Sequence, residues 1–250
     1  IILIDKPLGW TSFNVVKKIR YLLKEKYGLK KIKVGHAGTL DPLATGLLIV
    51  CTGKFTKKIT AIQNLKKVYT GIITLGGTTP SYDLETEINA VFDTKHITKQ
   101  LIQKTGKLFI GNIEQAPPIF SALKRNGERL YIKARRGEKV KIEKRNITVD
   151  FFKFTHINIP NINFEIKCSK GTYIRSIAND FGKELNNGGY LSKLCRTSIG
   201  EYKLKNAFSI DSLDFLCTRV HPYGSTIVKS IAKRTFFVNV GSIPPAEVDQ

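Results

Sequence analysis

The apolar positions between residues 12 and 27 recur every three or four residues, which is the spacing of one buried face of an α-helix. The residues on this face are Val15, Val16, Ile19, Leu22 and Leu23. Thr11 and Ser12 are residue types that cap helix N-termini, and Gly28 stands where a left-handed glycine commonly ends a helix. The pattern therefore predicts a helix that ends near Tyr27.

Shorter apolar segments predict strands at residues 1–6, 47–51, 69–75 and 164–168. Helical spacing returns at residues 97–109 and 173–185. In the second of these helices one face carries Ile174, Ile177, Ala178, Phe181 and Leu185. Short strands that alternate irregularly with helices are typical of an α+β or mixed α/β domain, and this is the fold class that we predict.

The charged positions point to a particular kind of partner. The chain of 250 residues has 41 Lys and Arg against 20 Asp and Glu, which gives a formal net charge of +21. Such a surplus favours a polyanion, with nucleic acid as the first candidate and an anionic membrane surface as the second. A generally basic protein without such a partner is the alternative. Residues 124–145 are the most basic stretch, with ten basic residues against three acidic ones.

Cysteines and apolar runs exclude several classes of protein. The cysteines at positions 51, 168, 195 and 217 lie far apart without a C-x-x-C pair, which argues against a zinc site and a disulfide framework. No apolar run approaches the ~18–20 residues that cross a bilayer, and the N-terminal segment lacks the basic region of a signal peptide. We expect a cytoplasmic protein with reduced thiols. Because methionine is absent even at position 1, we expect the intact translation product to be longer.

Residues 35–48 combine glycines, a proline, a histidine and one carboxylate ahead of an apolar strand. Glycines permit tight turns and the close approach of a ligand. Pro42 disfavours helical backbone at Asp41 and so helps to present that side chain on an extended turn. A carboxylate presented in this way serves as a nucleophile or a base, although an Asp-Pro pair is also common in ordinary turns. Composition and spacing leave both interpretations open.

The same segment resembles the signature of the TruB-type pseudouridine synthases, whose G-H-x-G-T-L-D-P loop carries the catalytic aspartate. Further blocks resemble motifs of that family in the same order along the chain. They are residues 5–12 (DKPLGWTS), 67–69 (KVY), 75–83 (LGGTTPSYD), 115–124 (QAPPIFSALK), 168–175 (CSKGTYIR) and 194–197 (LCRT). In the last block Cys195 departs from the usual arginine. A chance match of this extent is not expected.

The resemblance implies a pseudouridine synthase fold, with a central mixed, mostly antiparallel sheet flanked by helices and an inserted basic RNA-binding arm. It implies that the protein isomerises uridine 55 in the T-loop of tRNA to pseudouridine. In this family the target nucleotide is flipped out, the aspartate attacks it, the glycosidic bond breaks, and the base turns and rejoins through carbon. The reaction needs no metal and no cofactor. The implied partner is the T-arm stem-loop of tRNA, bound by a monomer.

The family motifs also imply the residues of the site. Asp41 is the implied nucleophile, Arg175 pairs with it, and Tyr69 stacks on the uracil and takes part in proton transfer. The implied substrate-binding residues are His36, Tyr173, Leu194, Lys124 and Arg135. His36 is expected to contact RNA near the flipped nucleotide, Tyr173 to align the site and Leu194 to wall the base pocket. Lys124 and Arg135 belong to the basic stretch.

For the organisation of the chain we predict a catalytic domain over residues 1–216 and a short tail over residues 217–250. The arm that grips the T-loop is expected at about residues 110–145, with phosphate contacts from its cations and stacking by Tyr131. We find no pattern of a PUA domain, which many relatives carry after the catalytic domain, and therefore expect a compact member of the family.

Two alternative functions remain open from the sequence. One is a guide-RNA-dependent pseudouridine synthase, against which the missing PUA pattern counts. The other is a non-catalytic chaperone of tRNA folding, which loss of the aspartate would favour, whereas Asp41 is present.

Overall fold

The computed structural model describes residues 1–28, 31–121, 123–125, 127–138, 140 and 142–213. The predicted tail over residues 217–250 lies outside the described residues. The helices are α1 (Ser12–Tyr27), α2 (Ile59–Asn64), α3 (Lys99–Gly106), α4 (Leu130–Arg135) and α5 (Ile174–Glu184). The strands are β1 (Ile2–Lys6), β2 (Val34–His36), β3 (Ala44–Thr52), β4 (Lys67–Leu75), β5 (Gly77–Thr78), β6 (Ala90–Val91), β7 (Gly111–Gln115), β8 (Lys124–Arg125), β9 (Glu128–Arg129), β10 (Arg145–Asn158), β11 (Asn161–Cys168), β12 (Gly189–Ile199) and β13 (Tyr202–Lys203).

One nine-stranded sheet organises the described chain, in the order β1-β3-β12-β4-β11-β10-β7, with β2 paired to β3 and β13 paired to β12. Its neighbouring strands are antiparallel except for β3 and β12, which run parallel. The parallel pair places Leu194 beside Ala44 and Arg196 beside Gly46. The predicted fold class, a mixed and mostly antiparallel sheet flanked by helices, is confirmed.

The main core lies between the sheet and α5. The five apolar residues predicted on one face of this helix are all buried. Phe152 of β10 stands at the centre of an aromatic cluster and makes edge-to-face contacts with Phe109, Phe164 and Phe181, at centroid distances of 5.7–6.4 Å. This geometry is the one that aromatic quadrupoles favour. The C-terminal half of α5 is thereby held against the sheet.

A second core cluster fixes α1 against β1 and β3. Val15, Val16 and Ile19 are buried, as their spacing predicts. The helix begins with a capping box, in which the side chain of Thr11 accepts a hydrogen bond from the backbone N–H of Asn14, and it ends at Gly28 with a φ of 59°. Both predicted helix ends are confirmed. The helix therefore holds the 7–11 turn, which contacts the loop before β3.

The basic stretch leaves the edge of the sheet between β7 and β10. Gln115 pairs with Arg145 at the point where the chain departs and returns. The excursion contains the small hairpin of β8 and β9 and the short helix α4. The predicted arm of about residues 110–145 thus includes β7, an edge strand of the main sheet. No helix of the described residues is both long and apolar enough to cross a membrane.

Candidate active site

The loop that connects β2 to β3 presents Asp41 at the edge of a cleft. Three backbone contacts fix this loop from behind. Ser12 Oγ accepts a hydrogen bond from the N–H of Leu40 at 2.8 Å, and the carbonyl of Pro42 accepts bonds from the N–H of Gly9 at 2.9 Å and from Lys6 Nζ at 3.3 Å. The Asp41 side chain itself remains 37% exposed. The nucleophile candidate is therefore held by rigid backbone yet open to a ligand.

Arg175 pairs with Asp41, as the resemblance implies. Its Nε lies 2.9 Å from Asp41 Oδ2, and its side chain is only 4% exposed. Two backbone carbonyls accept from Nη1, those of Ser81 at 3.1 Å and Phe120 at 2.9 Å. Because the guanidinium is fixed on several sides, it holds the carboxylate in one orientation.

Asp83 is a second carboxylate on the same arginine, and sequence reasoning did not assign it to the site. Its Oδ2 lies 3.6 Å from Arg175 Nε, and its side chain is 6% exposed. Burial raises the pKa of Asp83, and Ser81 and the charge of Arg175 oppose this rise. The signal was available, because Asp83 ends the block at residues 75–83 that resembles a family motif.

Arg196 is the other residue that sequence reasoning missed. It is 1% exposed and donates to the carbonyls of Leu47 at 2.8 Å, Gly38 at 3.0 Å and Thr39 at 3.4 Å. Arg196 therefore ties β12 to both β3 and the loop that carries Asp41. The available signal was its place in the LCRT block, where only Leu194 was assigned a role.

A cleft of about 760 Å³ brings five of the eight predicted residues together: Asp41, Tyr69, Tyr173, Arg175 and Leu194. Tyr69 is 8% exposed on β4. Burial raises the pKa of its hydroxyl, and the nearby guanidinium of Arg196 opposes that rise. The hydroxyl therefore stays protonated near neutral pH, so Tyr69 offers an uncharged ring and a hydrogen-bond donor to a base.

The other three predicted residues do not line this cleft in the described structure. His36 ends β2 behind the loop, where its Nδ1 is buried without a hydrogen-bond partner, and burial, followed by the charge of Arg196, lowers its pKa. Arg135 lies at the end of α4 and pairs with Glu85 Oε1 at 3.1 Å. The side chain of Lys124 lies outside the described residues. The RNA contacts of all three stay predictions.

The cleft can place a nucleophile, a charged partner and an aromatic ring around one ligand. Asp41 supplies the nucleophile, Arg175 the charge and Tyr69 the ring, while Leu194 contributes an apolar wall. Within the described residues no group of three or more His, Cys, Asp and Glu side chains could hold a metal ion.

Comparisons with known proteins agree with this arrangement. Residues 24–174 match the family model of the TruB family pseudouridylate synthase (N terminal domain). The "tRNA pseudouridine synthase B" of Flavobacterium johnsoniae is 59% identical over 211 residues, which cover 84% of this chain and 92% of that protein. The protein of the same name from Phocaeicola vulgatus is 51% identical over 208 residues, which cover 83% of this chain and 88% of that protein.

Solved structures resemble the chain over nearly the same extent. The "Crystal Structure of a Cbf5-Nop10-Gar1 Complex" matches with a TM-score of 0.63 and 28% identity over 86% of this chain. The "Structure of H/ACA RNP bound to a substrate RNA containing 2'-deoxyuridine" matches with a TM-score of 0.62 and 26% identity over 86% of this chain. The chain spans about half the length of those structures, 53% and 52% respectively.

The sheet and the arginine-paired aspartate at its cleft define the class: this is the pseudouridine synthase fold. Within that class, the family match and the extent of identity to the bacterial proteins decide the family. The chain belongs to the TruB family of pseudouridylate synthases.

Proposed function

We propose that this chain isomerises uridine 55 in the T-loop of tRNA to pseudouridine, with Asp41 as the nucleophile. The observation that carries the proposal is the Asp41–Arg175 ion pair, at 2.9 Å, in a cleft that also contains Tyr69. The curated relatives at 50–59% identity carry the name of this activity. The family motif and the geometry thus agree on one residue.

The chemistry is an internal rearrangement and balances within one nucleotide. Asp41 attacks the nucleotide, the bond between uracil N1 and ribose C1′ breaks, and a bond between C5 and C1′ forms as the carboxylate of Asp41 is released. C5 loses its proton and N1 gains a proton, so substrate and product have the same atomic composition. The detached base must stay in the cleft while it turns. Tyr69 and Leu194 hold it there by stacking and apolar contact, which tolerate rotation better than directional hydrogen bonds do.

A base that is stacked in a folded loop must first be extruded, which costs a few kcal/mol. Contacts to phosphates offset that cost, and the arm between β7 and β10 carries cations suited to them, including Arg125, Arg129 and Arg135. We therefore propose that the arm binds the T-loop and that residues 1–216 form the catalytic domain.

We also propose that the protein works as a monomer in the cytoplasm. Cys51, Cys168 and Cys195 are free thiols, and the first two are buried, as expected of a reducing compartment. The cysteine at position 217 lies outside the described residues. Light scattering during size-exclusion chromatography tests the oligomeric state. A monomer of this chain should have a mass near 28.1 kDa.

The test of the activity is tritium release from a tRNA transcript labelled at uridine C5. We expect release of one tritium per tRNA from the normal transcript and none from a transcript with cytidine at position 55. Release without any added guide RNA also separates this function from the guide-dependent alternative, which the likeness to the Cbf5 complexes raises. Binding of tRNA without release would instead favour the chaperone.

A further inference from the structure

The cleft is larger than one base requires and continues away from Asp41. Its volume of about 760 Å³ lies in the upper part of the ~300–1,000 Å³ range of pockets that enclose drug-sized ligands. The far end has a polar and basic lining from three segments: α2, the start of β10, and the loop after β11. These contribute Thr60, Gln63, Asn64, Arg145, Asn146 and residues 169–172. The cleft therefore has room for a second, polar group of a ligand at this end.

The charge of the cleft selects an anion for this second group. Among the described residues that line it, the basic side chains are Lys67, Arg145, Lys170, Arg175 and Arg196, and the acidic one is Asp41. Arg175 is already paired with Asp41. No carboxylate of the described residues forms an ion pair with Arg145 or Lys170. A cleft lined by one sign of charge concentrates ligands of the opposite sign.

Lys170 and Asn64 face each other across this end of the cleft. Lys170 Nζ donates to Asn64 Oδ1 at 2.8 Å, which leaves the other ammonium protons and the amide protons of Asn64 for a ligand. Lys170 lies in the loop that follows β11, whereas Asn64 ends α2. Two elements from distant parts of the chain therefore present donors to one place.

Arg145 forms the wall beside them. Its guanidinium carbon lies 4.6 Å from the ring centroid of Tyr173, and the guanidinium donates to the carbonyl of Gly171. The Nε of Arg145 is buried without a partner. The side chain of Gln115 fixes the backbone of Tyr173, the residue whose ring contacts Arg145. Its amide oxygen accepts from the N–H of Tyr173 at 2.8 Å, and its amide nitrogen donates to the carbonyl of Tyr173 at 3.0 Å. The cation is thus held in place before any ligand arrives.

The strand register gives the spacing between this end and the catalytic end. On the paired strands β4 and β11, Tyr69 lies opposite Ile166 and Lys67 lies opposite Cys168. Two residues along a strand correspond to about 7 Å. The loop at residues 169–172 thus begins about 7 Å along the strands from Tyr69, a distance on the order of one nucleotide step.

We propose that the end of the cleft lined by Asn64, Arg145 and Lys170 is a subsite for one backbone phosphate of the RNA strand next to the uridine held at Asp41. This inference rests on the proposed function and adds to it the place where the flipped nucleotide is anchored. A phosphate fixed here holds the sugar while the base leaves C1′ and turns.

The test is a phosphate-neutralisation scan. T-arm hairpins, each with one methylphosphonate linkage near the target uridine, are assayed with wild-type protein, Lys170→Ala and Asn64→Ala. For wild type we expect one linkage whose neutralisation lowers kcat/KM by about tenfold, the effect of losing one charged hydrogen bond. In Lys170→Ala, which is already weakened about tenfold on the unmodified hairpin, neutralising that same linkage should cost clearly less than in wild type, because only Asn64 and Arg145 still contact it.

Lys205→Ala is the matched control, since Lys205 is exposed outside the cleft, and it should keep the full wild-type response at every linkage. If wild type and Lys170→Ala respond equally to neutralisation at every linkage, the proposed subsite is wrong. It is also wrong if the protein binds inorganic phosphate but no single linkage lowers kcat/KM in wild type. Failure of the proposed function is a separate outcome, because then the unmodified hairpin and tRNA release no tritium with wild-type protein.

Discussion

The guanidinium of Arg175 lies between two carboxylates, 2.9 Å from Asp41 and 3.6 Å from Asp83, and the two acids differ in exposure. Asp83 is buried, whereas the side chain of Asp41 is 37% exposed. Since a buried carboxylate and two carbonyls already fix the arginine, its position does not depend on Asp41. The exposed acid is therefore free to react while its partner stays in place.

Replacing Asp41 by asparagine should abolish isomerisation and leave tRNA binding within a few-fold of wild type. The carboxylate performs the chemistry, whereas contacts to phosphate supply most of the affinity. Tritium release measures the first quantity and filter binding the second. Asp150→Asn serves as control, because Asp150 pairs with Lys66 and does not line the cleft, and it should retain turnover. Turnover in Asp41→Asn would refute the assignment of the nucleophile.

Replacing Arg196 by alanine should lower both stability and kcat. The change removes the donor from the buried carbonyl of Leu47, which costs about 1–3 kcal/mol, and from the part-buried carbonyls of Gly38 and Thr39, which cost less. The loop that carries Asp41 then loses its link to β12, so kcat should fall more than KM rises. Arg196→Lys should be intermediate. The measurements are urea unfolding and steady-state kinetics, and Cys195→Ser on the same strand should match wild type in both.

The elements with regular apolar spacing were the ones that the sequence predicted. The spacing and capping residues of α1 predicted both of its ends, and the buried face of α5 was predicted residue by residue. Two long strands, β10 and β12, were missed. Each has two register shifts against a neighbouring strand, and such bulges interrupt the alternation that marks a strand.

The same limit applies to the site. The family motifs predicted that Asp41 pairs with Arg175, and the structure contains this ion pair. This prediction was possible because each of the two residues occupies a fixed position in a short motif. It did not predict that Arg196 binds the loop of Asp41, since this contact joins residues 158 apart along the chain. Contacts of that range follow from the parallel pairing of β3 and β12, which local patterns do not reveal.

Stability should depend on pH through Lys6, which is fully buried. Burial, partly opposed by Asp41, lowers its pKa from 10.5 to about 8. Between these two values the unfolded chain binds the proton and the folded chain does not, so the contribution of Lys6 to stability rises with pH from about 8 to 10.5. Below pH 8 the full cost of burying the charge remains. The difference in unfolding free energy between wild type and Lys6→Met should therefore shift in favour of wild type over this window.

Urea unfolding at several pH values measures that difference. Lys205→Met is the control, since Lys205 is exposed, and its difference from wild type should not change with pH. A pH-independent difference for Lys6→Met would contradict the lowered pKa.

Neutralising arm cations should change the salt dependence of tRNA binding according to what each cation contacts. Arg135 is 64% exposed, so Arg135→Ala should reduce the slope of log K against log salt by about 0.7–0.9, the value for one phosphate contact. Arg136 instead pairs with Glu128 and Glu138 within the arm. Arg136→Ala should weaken binding by loosening the arm. Equal slopes for Arg135→Ala and wild type would show that Arg135 contacts no phosphate.

Two glycines, Gly46 near the start of β3 and Gly53 just after its end, should respond very differently to alanine. Both have a positive φ, 97° at Gly46 and 53° at Gly53, so each substitution costs about 1 kcal/mol of backbone strain. A Cβ at Gly46 would lie 2.5 Å from the carbonyl oxygen and 2.8 Å from the backbone nitrogen of Arg196, whereas one at Gly53 meets nothing within 4 Å. Backbone atoms of a central strand cannot move aside as a flexible side chain can.

Gly53→Ala should therefore lower the free energy of unfolding by only about 1 kcal/mol and keep normal activity. Gly46→Ala must push β12 away from β3, which displaces Arg196 from the loop that carries Asp41. It should lose at least about 3 kcal/mol, or fail to fold, and any folded fraction should have a reduced kcat. Urea unfolding and tritium release on the two variants measure these effects. Similar stability of the two variants would contradict the close approach of β3 and β12 at this point.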